Sequence, residues 1–292
     1  MIASMLAFTL VDSMVKLLSS HMGVGQILCI FGVGTAVCFA VLAKSQRQTI
    51  WSSAYLHPAL AVRCFGEILG GSCLVIALAN TSLSAVTALV QFVPLLLTAM
   101  AMMVLGERRT VARIMAVLTG FAGTIIIIRP TIDGFDLYLL TGFFAAVGLA
   151  LRDLSVRLVP PDMPIAGLSF YGAVAVACTG FIMMMIEGGG TMPDGWPLVY
   201  AIIMVMLAAA GLWGIALSLR LADISAISPF RYSRIIFGIV IGITVFSEQI
   251  DSFMIAGSVL ILGAGLYSWY SETRLGVSRL GPKGHSSLGA AL

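Results

Sequence analysis

The chain has 292 residues, of which 60% are hydrophobic and only 10% charged, with a formal net charge of +3 and a mean hydropathy of +1.06. A soluble domain carries about 25% charge, so this composition excludes a water-exposed globular fold. The small basic excess bears on membrane topology and not on nucleic acid, for which no partner role is expected.

A bilayer-spanning helix needs roughly 20 mostly apolar residues. Such stretches run near residues 1 to 19, 25 to 43, 58 to 79, 83 to 105, 111 to 128, 137 to 157, 165 to 186, 197 to 219, 224 to 246 and 252 to 271, separated by short polar breaks. The first opens directly at Met1, with Asp12 and Lys16 inside it, and reads as a retained helix rather than a cleaved signal peptide. The third carries Arg63 and Glu67, spaced to neutralise each other on one face, and Gly66, Gly70 and Gly71, which allow close helix approach. Gln91 and Phe92 sit in the fourth, Asp153 and Arg157 late in the sixth, Trp213 in the eighth, and Arg231, Tyr232 and Arg234 in the ninth. The tail, 272 to 292, is polar, Gly/Ser-rich and basic, and is expected to be disordered. The five cysteines fall within predicted spans without a CxxC and read as packing residues.

Shifted by 141 positions the chain falls on itself: Asp12 on Asp153, Lys16 on Arg157, Gly70 on Gly211, Ser84-Ala85 on Ser225-Ala226 and Glu107 on Glu248. Charged residues are scarce, so the matched acids carry most of this evidence of duplication. An odd-numbered unit repeated in one chain must enter the bilayer from opposite sides. The expected fold is an all-α polytopic membrane protein of ten transmembrane helices in two inverted five-helix repeats, 1 to 130 and 131 to 271, followed by the tail. Lys44, Arg47, Arg108, Arg109, Arg113, Arg157, Arg220, Arg274, Arg279 and Lys283 fall on the side of the termini, against Lys16 and Arg129 on the other. Both termini are therefore expected in the cytoplasm, the membrane being a bacterial inner membrane.

The run from Pro94 to Pro130 resembles the closing half of an EamA repeat of the drug/metabolite transporter superfamily: a proline early in the fourth helix, a Leu-Gly-Glu turn, and a Gly-rich fifth helix ending in Arg-Pro. The stretch from Ser228 to Gln249, followed by a Gly-rich segment from Ile255 to Tyr267, looks like the same unit. Two positions depart from the pattern: Ile30 and Phe31 stand where an Arg often follows Gln26, and Ser247 stands where the second turn often has Gly. The resemblance implies a carrier with a central cavity lined by helices one, three, four, six, eight and nine. Most of the intramembrane polar residues fall on those helices. A charge at the bilayer centre costs about 2.5 to 3.5 kcal/mol on insertion scales, so such residues face a cavity or a partner.

Arg231 and Arg234, three apart, suit a carboxylate, a phosphate or an electron-rich ring. Their offset mates are Val90 and Val93, so the repeat is broken where a substrate needs asymmetry. The alternatives are bracing by a buried acid such as Glu67 or Asp153, and snorkelling. Gln91, Phe92, Tyr232 and Trp213 are candidates to line the site and stack on a flat ligand, with packing as the other reading; Arg63 and Glu67 are either site residues or a brace. Asp12 with Lys16 and Asp153 with Arg157 read either as alternating gate contacts at opposite faces or as two symmetric helix ends. Glu107 and Glu248 read as fold markers. Protons are a candidate coupling partner, with Glu67, Asp12 or Asp153 as carriers.

No metal-ligand cluster, P-loop or dinucleotide motif is present in the sequence, so neither a cofactor nor enzymatic turnover is expected. The functional reading is a secondary transporter of a small organic metabolite working by alternating access, with a passive channel or a membrane-embedded transferase as alternatives. The substrate guess is an amino acid or a flat or anionic metabolite such as riboflavin. The sequence leaves the oligomeric state open, a monomer being one option.

Overall fold

A computed structural model describes residues 1–50, 55, 57–107, 109–129, 136–160, 163–221 and 228–274. Among them every regular element is helical: α1 (Ile2–Leu18), α2 (Val24–Ser45), α3 (Pro58–Asn80), α4 (Leu83–Val90), α5 (Val93–Val104), α6 (Val111–Ile128), α7 (Leu137–Leu158), α8 (Ile165–Ile186), α9 (Trp196–Leu221), a 3₁₀ turn (Ser228–Tyr232), α10 (Ser233–Thr244) and α11 (Ser252–Arg274). Eight stretches, with Leu83–Val104 taken as one, are long and apolar enough to cross a bilayer. The chain is thus an all-helical, multi-pass membrane protein. The two expected spans outside this set are α1, 17 residues long, and the segment of the 3₁₀ turn and α10. Residues 222–227, including Ser225 and Ala226, lie outside the described residues, as do Arg108, 130–135, 161–162 and 275–292, where most of the expected tail falls.

The fourth expected helix is interrupted. Pro94 has no N–H to give the Val90 carbonyl and its ring crowds that group, so α4 stops at Val90 and α5 begins at Val93. Ser82 caps α4, accepting from the Ala85 N–H at 3.3 Å, and all eight residues of α4 are buried.

The 141-residue offset reappears in the helix bounds. Val24–Ser45 maps onto Ile165–Ile186 at both ends, Val111 onto Ser252 at the starts of α6 and α11, and Asn80 onto Leu221 at the ends of α3 and α9. The break at Gln91-Phe92 maps onto Tyr232-Ser233, where the 3₁₀ turn passes into α10. The four most extensive helix pairings are α2 with α8, α3 with α7, α6 with α11 and α1 with α9. Exchanging each helix for its offset mate returns this same set.

Small residues set the closest approaches. Gly148 of α7 lies against the backbone of Gly66 and Gly70 on α3, where no Cβ fits. At the mated positions Gly211 of α9 packs against Ala7 and Phe8 of α1. Leu18, Ile27, Leu28, Leu78, Leu83 and Met204 anchor the main core between these layers.

Candidate functional site

Ion pairs link the two halves of the chain, and one more joins α7 to the 3₁₀ turn within the second half. Arg234 donates from one guanidinium nitrogen to Asp12 Oδ2 at 2.5 Å, and Arg231 donates to Asp153 Oδ2 at 3.3 Å. Lys16 Nζ lies 3.0 Å from Glu248 Oε1, and an Arg157 guanidinium nitrogen lies 2.9 Å from Glu107 Oε1. Under the offset, Lys16–Glu248 and Arg157–Glu107 are mates of each other. Asp12 and Asp153 are mates too, yet both turn to the 3₁₀–α10 segment, whose arginines have only valines as counterparts.

The expected contacts within α1 and within α7 are therefore replaced. Asp12 does not pair with Lys16 but with Arg234 of the other half, and Asp153 does not pair with Arg157 but with Arg152 and with Arg231 of the 3₁₀ turn. Arg231 and Arg234 do not act as one fork either. A buried guanidinium needs a counter-ion, and acids on two different helices supply one to each. Asp153, one of the acids the bracing alternative offers, is the acid Arg231 contacts.

The two arginine environments differ. The Arg234 side chain is 11% exposed and lies over the Phe8 ring at 5.6 Å, while its Nε is buried without a partner among the described residues. The Arg231 side chain is 29% exposed, and among the described residues its guanidinium makes only the one long hydrogen bond to Asp153. Its carbonyl accepts from Gln91 Nε2 at 2.8 Å, so the interruption of the α4–α5 helix meets the 3₁₀ turn.

Arg152, not singled out from the sequence, donates to Asp153 Oδ1 from Nε at 3.0 Å and from a terminal nitrogen at 2.9 Å. Neighbouring helical residues do not ordinarily face each other, which is why spacing gave no hint of the pair. Arg63 contacts Glu67 at 3.3 Å, donates from Nε to the Leu168 carbonyl at 3.1 Å and from a terminal nitrogen to Ser169 Oγ at 3.3 Å. The Arg63–Glu67 pair on α3 sits beside the Arg152–Asp153 pair on α7, where Gly66 packs against the Arg152 backbone. Arg63, Glu67, Arg152, Asp153 and Arg231 thus form one charged network across α3, α7 and the 3₁₀ turn.

The aromatic candidates divide differently. Phe92 is fully buried, stacked 6.4 Å from Phe143 and near Phe121, so it fills space in a packing cluster and offers no ring face to a ligand here. Tyr232 is buried with its hydroxyl against Gly265 of α11, also a packing position. Trp213 is exposed on α9, whose Gly211 and Gly214 face α1.

At the end marked by Glu248, that carboxylate accepts from Leu83 N at 2.6 Å, Ser84 N at 3.0 Å and Ser84 Oγ at 2.7 Å, as well as from Lys16. It caps the positive end of α4. Burial acts to raise its pKa, but hydrogen bonds from Ser84, Lys16 and Leu83 outweigh burial and hold the carboxyl below its ordinary value of 4.5. Lys16 also donates to the Thr81 carbonyl at 2.6 Å. At the other end Glu107 pairs with Arg157 and, at 3.1 Å, with Arg113. Both glutamates therefore do more than mark turns. Among the described residues no group of His, Cys, Asp and Glu could hold a metal, and the five cysteines are free.

No protein-family model matches the chain. Over 182 residues it is 23% identical to the S-adenosylmethionine uptake transporter of Rickettsia felis, covering 62% of this chain and 61% of that protein. It is 27% identical over 176 residues to the riboflavin transporter of Vibrio cholerae, covering 58% of this chain and 57% of that one. The match thus spans about three fifths of these relatives' length. A solved crystal structure of a protein superposes with a TM-score of 0.59 at 15% identity, covering 94% of this chain and 98% of its own, which establishes a shared fold.

Proposed function

We propose that the chain is a secondary transporter that carries a small organic metabolite across a bacterial inner membrane by alternating access, as an EamA-type member of the drug/metabolite transporter superfamily. In this reading ten spans form two inverted five-helix repeats, 1 to 130 and 131 to 271, with both termini cytoplasmic. The observation that carries it is the convergence of Asp12 and Asp153, mates under the 141-residue offset, on two arginines beside a helix interruption. Matched ion pairs at the two ends add a gate for each face. The closed set of helix pairings supports the repeat, and the functions of the relatives, uptake of S-adenosylmethionine and transport of riboflavin, support a metabolite carrier. An amino acid or a flat or anionic metabolite such as riboflavin is the substrate class. Asp12, Asp153 and Glu67 are the acids available for proton coupling.

Alternating access with one loaded site saturates and exchanges. Purified full-length chain in liposomes should show saturable counterflow of labelled riboflavin or S-adenosylmethionine. Arg234→Ala, which strands the Asp12 carboxylate, should lower it by at least about tenfold, and Arg234→Lys should lower it less. Flux that rises linearly with concentration and shows no counterflow would mark a channel and end the carrier reading.

A further inference from the structure

Resting on the transporter reading, we infer that Arg152 and Arg231 form a carboxylate-binding subsite in which Asp153 is the resident competitor for the substrate's own carboxylate. Three features lead there. First, the network is unbalanced: the guanidinium groups of Arg63, Arg152 and Arg231 face the two carboxylates of Glu67 and Asp153, so one positive charge is left over. An uncompensated cation inside a membrane span is costly, and a monoanionic ligand removes the imbalance. A phosphate dianion would reverse it.

Second, the Asp153 carboxylate is divided between the two arginines. Arg152 holds Oδ1 through two nitrogens at 3.0 and 2.9 Å, whereas Arg231 reaches Oδ2 only at 3.3 Å. Charge-assisted N–H···O bonds run about 2.7 to 2.9 Å, so the Arg231 contact is the one a better-placed carboxylate displaces. Third, this end of the network is open. Arg152, Asp153 and Arg231 all keep part of their side-chain surface accessible, while Asp12 and Arg234 are nearly sealed. A ligand carboxylate therefore reaches Arg231 without first breaking the Asp12–Arg234 pair. Arg63, tied to Glu67, Ser169 and the Leu168 carbonyl, stays in place as the network's fixed charge.

The test compares carboxylates with their neutral isosteres: benzoate with benzamide and acetate with acetamide, titrated against purified full-length protein at constant ionic strength, with thermal unfolding as readout. Benzoate and acetate should raise the unfolding temperature and the amides should not. Arg231→Gln and Arg152→Gln should abolish the carboxylate response, with Arg231→Lys retaining part of it. Asp153→Asn should lower the half-effect concentration of benzoate roughly tenfold, since the competing anion is gone. Equal responses to acids and amides, or a carboxylate response untouched in both Gln variants, overturns the subsite. Counterflow in liposomes separates this from the broader reading: transport without any carboxylate response removes the subsite and leaves the carrier, and a carboxylate response without counterflow does the reverse.

Discussion

The end of the molecule at Glu248 and the end at Glu107 are built from matched residues, and they are not in the same state. Glu248 is 9% exposed, holds Lys16 and takes three hydrogen bonds from the start of α4. Glu107 is 33% exposed and holds Arg157 and Arg113. The same acid at the same repeat position thus closes one end tightly and the other loosely. In the proposed alternating-access reading, the unequal ends correspond to a carrier facing one way. Each end is held by a glutamate's whole set of donors and not by a single ion pair.

The strongest way to break the comparison is to neutralise each acid. Glu248→Gln removes a largely buried charge from Lys16 and from the α4 N-terminus and should cost about 3 kcal/mol. Glu107→Gln acts on a half-exposed pair and should cost about 0.5 to 1 kcal/mol. Unfolding midpoints of the two purified variants measure the difference, and equal losses would show the two ends to be energetically alike. Because the folded Glu248 pKa is depressed, its contribution is complete above the unfolded value near 4.5 and disappears as pH falls through the lower folded value. Acidification through that window should destabilise the parent chain more than Glu248→Gln, as read by midpoints on a pH series.

A smaller effect sharpens the comparison at the helix contacts. Gly148→Ala puts a Cβ against the Gly70 backbone and should cost about 1 to 3 kcal/mol. Its mate is already alanine, Ala7, beside Gly211, so Ala7→Gly should cost less than about 1 kcal/mol. A tolerated Gly148→Ala would mean that α3 and α7 separate as easily as α1 and α9.

The smallest effect lies in the turns before the two glutamates. Gly106 has φ +67° and its mate Ser247 φ +52°, both left-handed. Serine is strained there, so Ser247→Gly should stabilise by about 1 kcal/mol and Gly106→Ser destabilise by a similar amount. Midpoint shifts of the same sign for both would contradict a shared turn geometry.

Much of the scaffold was legible because its signals are local. The apolar runs at 25 to 43 and 165 to 186 lie between turn residues and became α2 and α8 with bounds moved by two residues at most. Pro94 carried the signal for the interruption, but a continuous apolar run from 83 to 105 hid where it would fall. The site was less legible. Arg231, Arg234, Asp12 and Asp153 stand out as charges in lipid, yet which acid meets which base depends on how five or more helices cross. Spacing favoured Asp12 with Lys16, and the fold joined Asp12 to Arg234 across 222 positions of sequence. Arg152 carries no such signal, because adjacency in a helix argues against contact. The capping by Glu248 was invisible since its donors are mostly backbone groups of another helix.

The absence of arginine counterparts at Val90 and Val93 limits how such a molecule could have been assembled. Two identical copies of the second half, associated as a symmetric dimer, would set six guanidinium groups, from Arg152, Arg231 and Arg234 of each, against two Asp153-type carboxylates, and the surplus charge would push the copies apart. With unlike halves in one chain, the 3₁₀–α10 segment holds both cations, and α1 of the other half meets one of them with an acid. The inequality at positions 90 and 93 is thus one that two identical copies cannot keep.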